Sequence, residues 1–411
     1  MDLKNISEEI RAVQGRHRAR PEMVKGLNVP YFRRGEMAIP AFKMKTGGDP
    51  ATDGRATSLK LMKKVTELPV DFFFYDLEDA SPDHLEFKDH ARSFVIEALT
   101  TFDFGNRVVA FRPNNIRTEY FEQDLIRVVT EAGHRLDAMV IPKTEYADEL
   151  KDIIGIVNAI QKKAGHTNRI SFEVLIESPT AFLDAEKIAA LDQVTSLIFG
   201  AWDFARTTGA RVEPDSWTHD QAYARQHLPI VAAAYGKDAV DAVTGTLPLR
   251  PKKPEGVSAE EYAEALQGDP GRINAGKFGL PFIQQMRDRI RAIRLAEEDA
   301  ADARRCGYAA KWILHPDQIE PIQKAWTPTR EGALNALKLT AAYARAARTG
   351  SGAEVDGNRL ADKAVVGTDW WIVLAALKGS VLTESDIKET GFTLQQLKRT
   401  VVTHDNHLSQ A

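Results

Sequence analysis

The sequence predicts an α/β protein built on a (β/α)8 TIM barrel, with an N-terminal helical extension and a helical C-terminal extension. Three observations carry that expectation. Short apolar runs alternate with stretches of helical spacing, the pattern of a parallel sheet crossed by helices. Eight such runs can be counted, more than a doubly wound sheet usually needs. Six of them end on polar or ionisable residues, and barrel enzymes carry their chemistry where strands end and βα loops begin.

Residues 1–34 mix charges with apolar positions at Ile6, Ile10 and Val13, which predicts a polar helix ahead of the main body. The first strand run is 37–42, with Arg33 and Arg34 before it and Lys43 and Lys45 leading into the glycine-bearing loop 46–50. The others are 71–77, 107–111, 136–141, 170–176, 194–199, 238–243 and 311–314. Between them, stretches such as 92–99 and 148–154 place apolar residues at i, i+3 and i+4. The rhythm breaks over 245–290, where a Pro-rich start predicts extended chain and Ser258-Ala259-Glu260-Glu261 predicts a capping box opening a short helix, as a lid or interface element. The barrel domain is expected over 35–347, closing on an Ala-rich amphipathic helix over 329–347, with a helical extension over 348–411.

With 411 residues the chain can bury roughly three quarters of its unfolded surface, enough for one barrel-sized domain plus appendages. Its 54 basic and 58 acidic residues leave a net charge of -4, so no global field attracts nucleic acid or anionic lipid, and a polyanionic ligand needs a local basic patch. The single Cys306 excludes an internal disulfide or a cysteine-based zinc cluster and reads as a packing residue. No apolar run approaches membrane-spanning length, and the first residues lack the basic start and apolar centre of a signal peptide, so a soluble cytoplasmic protein is expected.

Glu177 closes the run 170–176 just before Ser178-Pro179, and Asp203 follows the run 194–199 through Gly200-Ala201-Trp202. Two strand ends each offering one carboxylate form a candidate pair of metal ligands; the bland alternative is two acids satisfied by backbone amides or arginine. Glu78 and Asp79, Arg112, Lys143 and His315 close other runs. The alternative for Glu78 and Asp79 is that they are acids favoured by a helix N-terminus. Asp241 and His315 read as structural.

The ordered set Tyr75-Asp76-Leu77-Glu78-Asp79-Ala80, Phe111-Arg112-Pro113-Asn114, Ile141-Pro142-Lys143, Leu175-Ile176-Glu177, Gly200-Ala201-Trp202-Asp203 and Leu314-His315-Pro316-Asp317-Gln318 resembles the citrate lyase beta subunit and malyl-CoA lyase branch of the HpcH/HpaI aldolase superfamily. The resemblance spans about 35–365 and rests on the set, since no single motif is diagnostic. It implies a barrel enzyme that makes or breaks a carbon–carbon bond beside a CoA thioester, a homo-oligomer (trimer or hexamer), and Mg2+, with Mn2+ as the alternative ion. Magnesium takes only one or two carboxylates plus water and substrate oxygens, so Glu177 and Asp203 suffice. Arg112 is implied as the donor that steadies an enolate oxygen, because its charge is permanent and its donors form a fork. Glu78 and Asp79 match the family's acidic pair, and Lys143 is placed to orient them. Asp362, in Arg359-Leu360-Ala361-Asp362-Lys363-Ala364, is the implied acid/base from the C-terminal segment, in its own or a neighbouring subunit.

Arg33, Arg34, Lys43 and Lys45 are implied recipients of CoA phosphates, against the alternative of a solvated face. Two departures fall in the implied substrate shell: Ser178-Pro179-Thr180-Ala181 replaces Thr-Ala-x-Gly, and Trp202 stands where an acid often precedes the metal Asp. They direct attention to Ser178, Pro179 and Trp202 for acyl specificity. Four functions are compatible with the sequence: a CoA-ester lyase, a malate-synthase-like condensation with thioester hydrolysis, an aldolase of free 2-oxo acids, and a non-catalytic CoA-ester-binding subunit.

Overall fold

The computed structural model describes residues 33–210, 221–357 and 359–402. The helix expected within 1–34 lies outside the described residues apart from Arg33 and Arg34. Two compact units are present among them, one over Arg33–Trp326 and one from Thr327 onward.

The first unit is the expected barrel. Eight parallel strands close in sequence order: β1 (Gly35–Pro40), β2 (Phe72–Asp76), β3 (Val108–Arg112), β4 (Ala138–Ile141), β5 (Ser171–Ile176), β6 (Val194–Phe199), β7 (Asp238–Asp241) and β8 (Ala310–Ile313). Each falls on its predicted run, shifted or trimmed by a residue or two where loop residues do not join the ladder. Strand alternation sorts the side chains. Phe73 and Tyr75 face outward and pack with Phe104, at ring separations of 5.1 and 6.3 Å. Phe72 and Phe74 take the other face, where Phe74 meets Trp312 at 5.0 Å and Arg112 at 5.8 Å. The same alternation puts Asp76 on that inner face at the strand's C-terminal end.

Helices cover the sheet by burying one stripe each. Helix Ala147–Ala164 turns Leu150, Ile153, Val157 and Gln161 inward, carries Asp148 and Glu149 in its first turn and Lys162 and Lys163 in its last, as its dipole favours, and stops at Gly165 with φ 75. In the 245–290 segment a stretch without regular structure leads to a capping box in which Ser258 and Glu261 satisfy each other's backbone N–H groups at the start of helix Ala259–Gln267. Ala265, Phe282 and Met286 give it a small core of its own. Its ends are tied to the loop after β8 through Arg250 (2.9 and 2.6 Å) and Arg289 (3.0 Å), both on Asp317.

The boundary after the barrel falls at Trp326, not at 347. The Ala-rich helix, Arg330–Arg348, belongs to the second unit, where Ala336, Leu337 and Tyr343 share a core with Val366, Trp370, Val373 and Leu397. That unit is not wholly helical, because β9 (Ala353–Asp356) and β10 (Arg359–Asp362) pair antiparallel ahead of helix Lys363–Lys378. No helix among the described residues is long and apolar enough to cross a membrane.

Candidate active site

The C-terminal ends of β2 to β6 bring Asp76, Glu78, Asp79, Arg112, Lys143, Glu177 and Asp203 to one mouth of the barrel. Arg112, the last residue of β3, is buried against the rings of Phe74 and Trp312. Its Nε and Nη2 donate to the two carboxylate oxygens of Asp76 at 2.7 and 2.6 Å, and its Nη1 is 3.3 Å from Glu78 Oε2. Burial opposes the guanidinium's charge, but Asp76, Glu78 and Asp79 outweigh it and hold the group firmly protonated. Asp76 also accepts from the N–H groups of Glu78 (2.9 Å) and Ala80 (3.1 Å), so one carboxylate fixes both the arginine and the loop carrying the other two acids.

Lys143 follows β4 with φ 51, a left-handed backbone rarely adopted by a residue with a side chain. The bend aims its backbone N–H at Glu177 Oε1 (2.5 Å), while its ammonium reaches Glu78 (2.5 Å) and Asp79 (3.0 Å). Burial raises the Glu78 carboxyl, whereas Arg112 and Lys143 overcome burial to lower that of the half-exposed Asp79. Glu177 is pushed up to about 8 by burial first, then by Glu78 and Asp203. Gly200 leaves the room it needs, since a Cβ there would lie 2.4 Å from Glu177 Cβ and 3.0 Å from Oε2.

This donor set fits a hard divalent cation. Several carboxylates converge where burial, and then Glu78 and Asp203, hold the Glu177 carboxyl up at about 8, and Glu78 Oε2 is buried without a hydrogen bond. Among the described residues no group of three or more His, Cys, Asp or Glu forms a complete cage. Two carboxylates completed by water and substrate oxygens are what magnesium accepts. Asp203 is half-buried and pairs with the exposed Arg206 at 2.6 Å.

The remaining candidates divide. Lys43 is exposed and shares with Glu78, Asp79, Asn114 and Lys143 the wall of a cavity of about 620 Å3. Arg33 and Arg34 precede β1 and so lie at the opposite, N-terminal end of the barrel. Arg33 is buried, donating to Glu173 (2.8 Å for one bond) and pairing with Glu36 at 3.1 Å; Arg34 pairs with Asp71 at 2.7 Å. Neither is placed to receive a phosphate at the mouth, which corrects that expectation. Ser178 caps helix Pro179–Leu183 by accepting from Ala181 N–H and donates to Glu145 at 2.9 Å, and Pro179 supplies the first helical residue. Trp202 is exposed at 41%, with its ring against Gly245, where a Cβ would come within 2.7 Å. Asp362 lies in the C-terminal unit, accepting from Val365 N–H at 2.9 Å as the cap of a helix; the barrel's own strands do not supply it. His315 caps the turn after β8 through Nδ1, accepting from Asp317 N–H at 3.1 Å, and Asp241 is buried with Lys311 (2.8 Å) and Arg225. Sequence reading missed Asp76, although its place at the end of a run was visible.

A parallel barrel with acids and an arginine gathered at its C-terminal strand ends has the arrangement in which barrel enzymes carry their chemistry. Residues 55–252 match the family model described as HpcH/HpaI aldolase/citrate lyase. It is 29% identical over 314 residues to the L-malyl-CoA/beta-methylmalyl-CoA lyase of Cereibacter sphaeroides, covering 74% of this chain and 87% of the relative. It is 26% identical over 342 residues to the citrate lyase subunit beta of Leuconostoc mesenteroides (83% and 92%) and 28% identical over 300 residues to a (3S)-malyl-CoA thioesterase of Cereibacter sphaeroides (72% and 84%). In fold it matches a citrate lyase from Burkholderia xenovorans with a TM-score of 0.62 at 17% identity, covering 89% of this chain and 97% of that one. The CitE protein of Mycobacterium tuberculosis in complex with magnesium, acetoacetate and coenzyme A matches with a TM-score of 0.55 at 19% identity (84% and 98%).

Proposed function

We propose that the protein is a magnesium-dependent carbon–carbon lyase acting on a 3-hydroxyacyl-CoA of the malyl-CoA, citramalyl-CoA or citryl-CoA kind. The observation that carries the reading is the Asp76-held Arg112 beside the Glu177 and Asp203 carboxylates. Names among the relatives support the substrate class, as does the CitE complex for the ion.

Cleavage removes the proton of the substrate's 3-hydroxyl, turns that carbon into a carbonyl and breaks the C2–C3 bond. The bonding pair passes into the thioester as an enolate, which then takes a proton at C2. A magnesium or manganese ion held by Glu177 and Asp203 would supply fixed positive charge to the oxygens of the fragment that becomes the 2-oxo acid. Arg112 serves the other fragment: with Nε and one N–H of Nη2 committed to Asp76, Nη1 is the nitrogen free of Asp76 that can turn from Glu78 towards a developing enolate oxygen. Its guanidinium is pre-aimed, so little reorganisation accompanies the charge. Lys143 balances Glu78 and Asp79 and orients Glu177. Lys43, on the cavity wall, is a suitable partner for a CoA phosphate. Asp362 is the proposed proton carrier, and a homo-oligomer, trimer or hexamer, is proposed with it.

The test is to supply malyl-, citramalyl- and citryl-CoA with and without EDTA and to follow the 2-oxo product. Turnover abolished by chelator and restored by Mg2+ is expected. No turnover with any of the three, or turnover indifferent to EDTA, rejects the reading. The thioesterase relative favours a second outcome, hydrolysis of the thioester, which free thiol released in step with turnover distinguishes.

A further inference from the structure

We infer that Lys88 is the positioning residue of the catalytic acids: its ammonium fills a cage of backbone carbonyls and thereby sets the loop that presents Glu78 and Asp79 and holds Asp76 on Arg112. Lys88 lies in the first turn of helix Leu85–Thr101 and is 3% exposed. Its Nζ donates to the carbonyls of Leu77 (2.6 Å), Glu78 (2.8 Å) and Ser81 (3.3 Å). An ammonium has three donors and no acceptor, so all three are engaged and none goes to a side-chain carboxylate. A buried lysine with no direct carboxylate partner is unusual; its desolvation is offset here by oriented carbonyl dipoles, the Tyr120 ring at 5.7 Å and more distant acids.

What those carbonyls belong to gives the cage its meaning. Leu77, Glu78 and Ser81 span the loop after β2, and on its other side Asp76 accepts the N–H groups of Glu78 and Ala80, while Ser81 Oγ donates to the Asp76 carbonyl at 2.8 Å. The loop is thus gripped from both sides, its N–H groups by an anion and its carbonyls by a cation. Asp76 is the same anion that takes Arg112 at two points. Releasing the carbonyls frees the loop N–H groups from Asp76 and loosens the register of the arginine. The catalytic consequence rests on the lyase reading; the loop geometry does not.

Lys88→Met removes the charge together with its donors, and Lys88→Arg keeps the charge but lacks the tetrahedral three-donor head. Amide hydrogen exchange is measured at residues 78–81 and on the barrel strands. The expected result in both variants is exchange about tenfold or more faster at Glu78 and Ala80, with β5 and β6 amides unchanged. If the wild-type protein is active, kcat falls on the order of tenfold or more with KM nearly unchanged. Exchange at 78–81 that stays at the wild-type rate, or that rises only in step with every strand, overturns the inference. If Lys88→Met does not fold, Lys88→Arg alone decides it. Exchange needs no substrate, so a failed lyase assay and a failed positioning role give different results.

Discussion

Asp76 and Arg112 are register partners on adjacent parallel strands, and their side chains meet again above the ladder as a two-point ion pair. The pairing fixes the plane of the guanidinium, not merely its charge. Asp76→Asn keeps an oxygen for the loop N–H groups but places an amide against the arginine. The expected effect is a kcat loss of about 10² to 10³-fold, comparable to removing an oxyanion donor, with Mg2+ affinity changed little. A kcat within about threefold of wild type, measured with the best of the three CoA esters, rejects the role given to this pair.

Glu177 makes stability depend on pH and on metal together. An unfolded glutamate titrates near 4.5, whereas the buried folded carboxyl is held up to about 8. Its contribution is therefore complete below about 4.5 and is lost as pH rises through about 8. Each unit of displacement corresponds to about 1.4 kcal/mol. In metal-free protein Tm should fall by several degrees across this window, and Mg2+ should remove most of the fall. Glu177→Gln should flatten the profile and abolish the response to Mg2+, as differential scanning calorimetry can establish; a metal response retained by Glu177→Gln places the ion elsewhere.

The barrel was legible because each strand is an apolar run that must be buried between helices, and the placement of Glu177 and Asp203 at its mouth was legible because each follows such a run. What stayed hidden depends on distance in the chain. Arg33 before a strand looks like a surface cation until it is paired with Glu173, 140 residues away. Glu173 itself stands inside the run 170–176, and only the barrel interior explains a buried acid there. Asp76 was masked by the two acids just after it. Lys88 has the spacing of an ordinary helix cation, and its partners are carbonyls, which carry no sequence signature. The helix Arg330–Arg348 followed the barrel's rhythm but packs with the residues after it.

Gly200 tests how closely Glu177 must be placed. Its φ is negative, so an alanine is tolerated by the backbone, yet its Cβ would meet the Glu177 side chain at 2.4 Å. Gly200→Ala should weaken Mg2+ on the order of tenfold or more by calorimetric titration, in line with other changes that disturb ligand orientation. An unchanged Mg2+ affinity together with wild-type Tm removes Glu177 from the metal site.

Arg33 and Lys43 separate the two ends of the barrel. Arg33 is enclosed with Glu36 and Glu173, and burial together with Glu173 raises the Glu36 carboxyl well above the usual range even with the arginine present. Arg33→Met leaves the two acids facing each other without their cation, a change that costs on the order of 3 to 5 kcal/mol when a buried pair is broken. The expected outcome is a lower denaturation midpoint with KM for the CoA ester unchanged. Lys43→Ala, at the exposed wall of the mouth cavity, should do the reverse: leave the midpoint alone and raise KM severalfold, more for a CoA ester than for its pantetheine analogue lacking the nucleotide phosphates. Arg33→Met raising KM selectively for the full CoA ester would return the phosphate role to the arginine and place the ligand at the opposite end of the barrel.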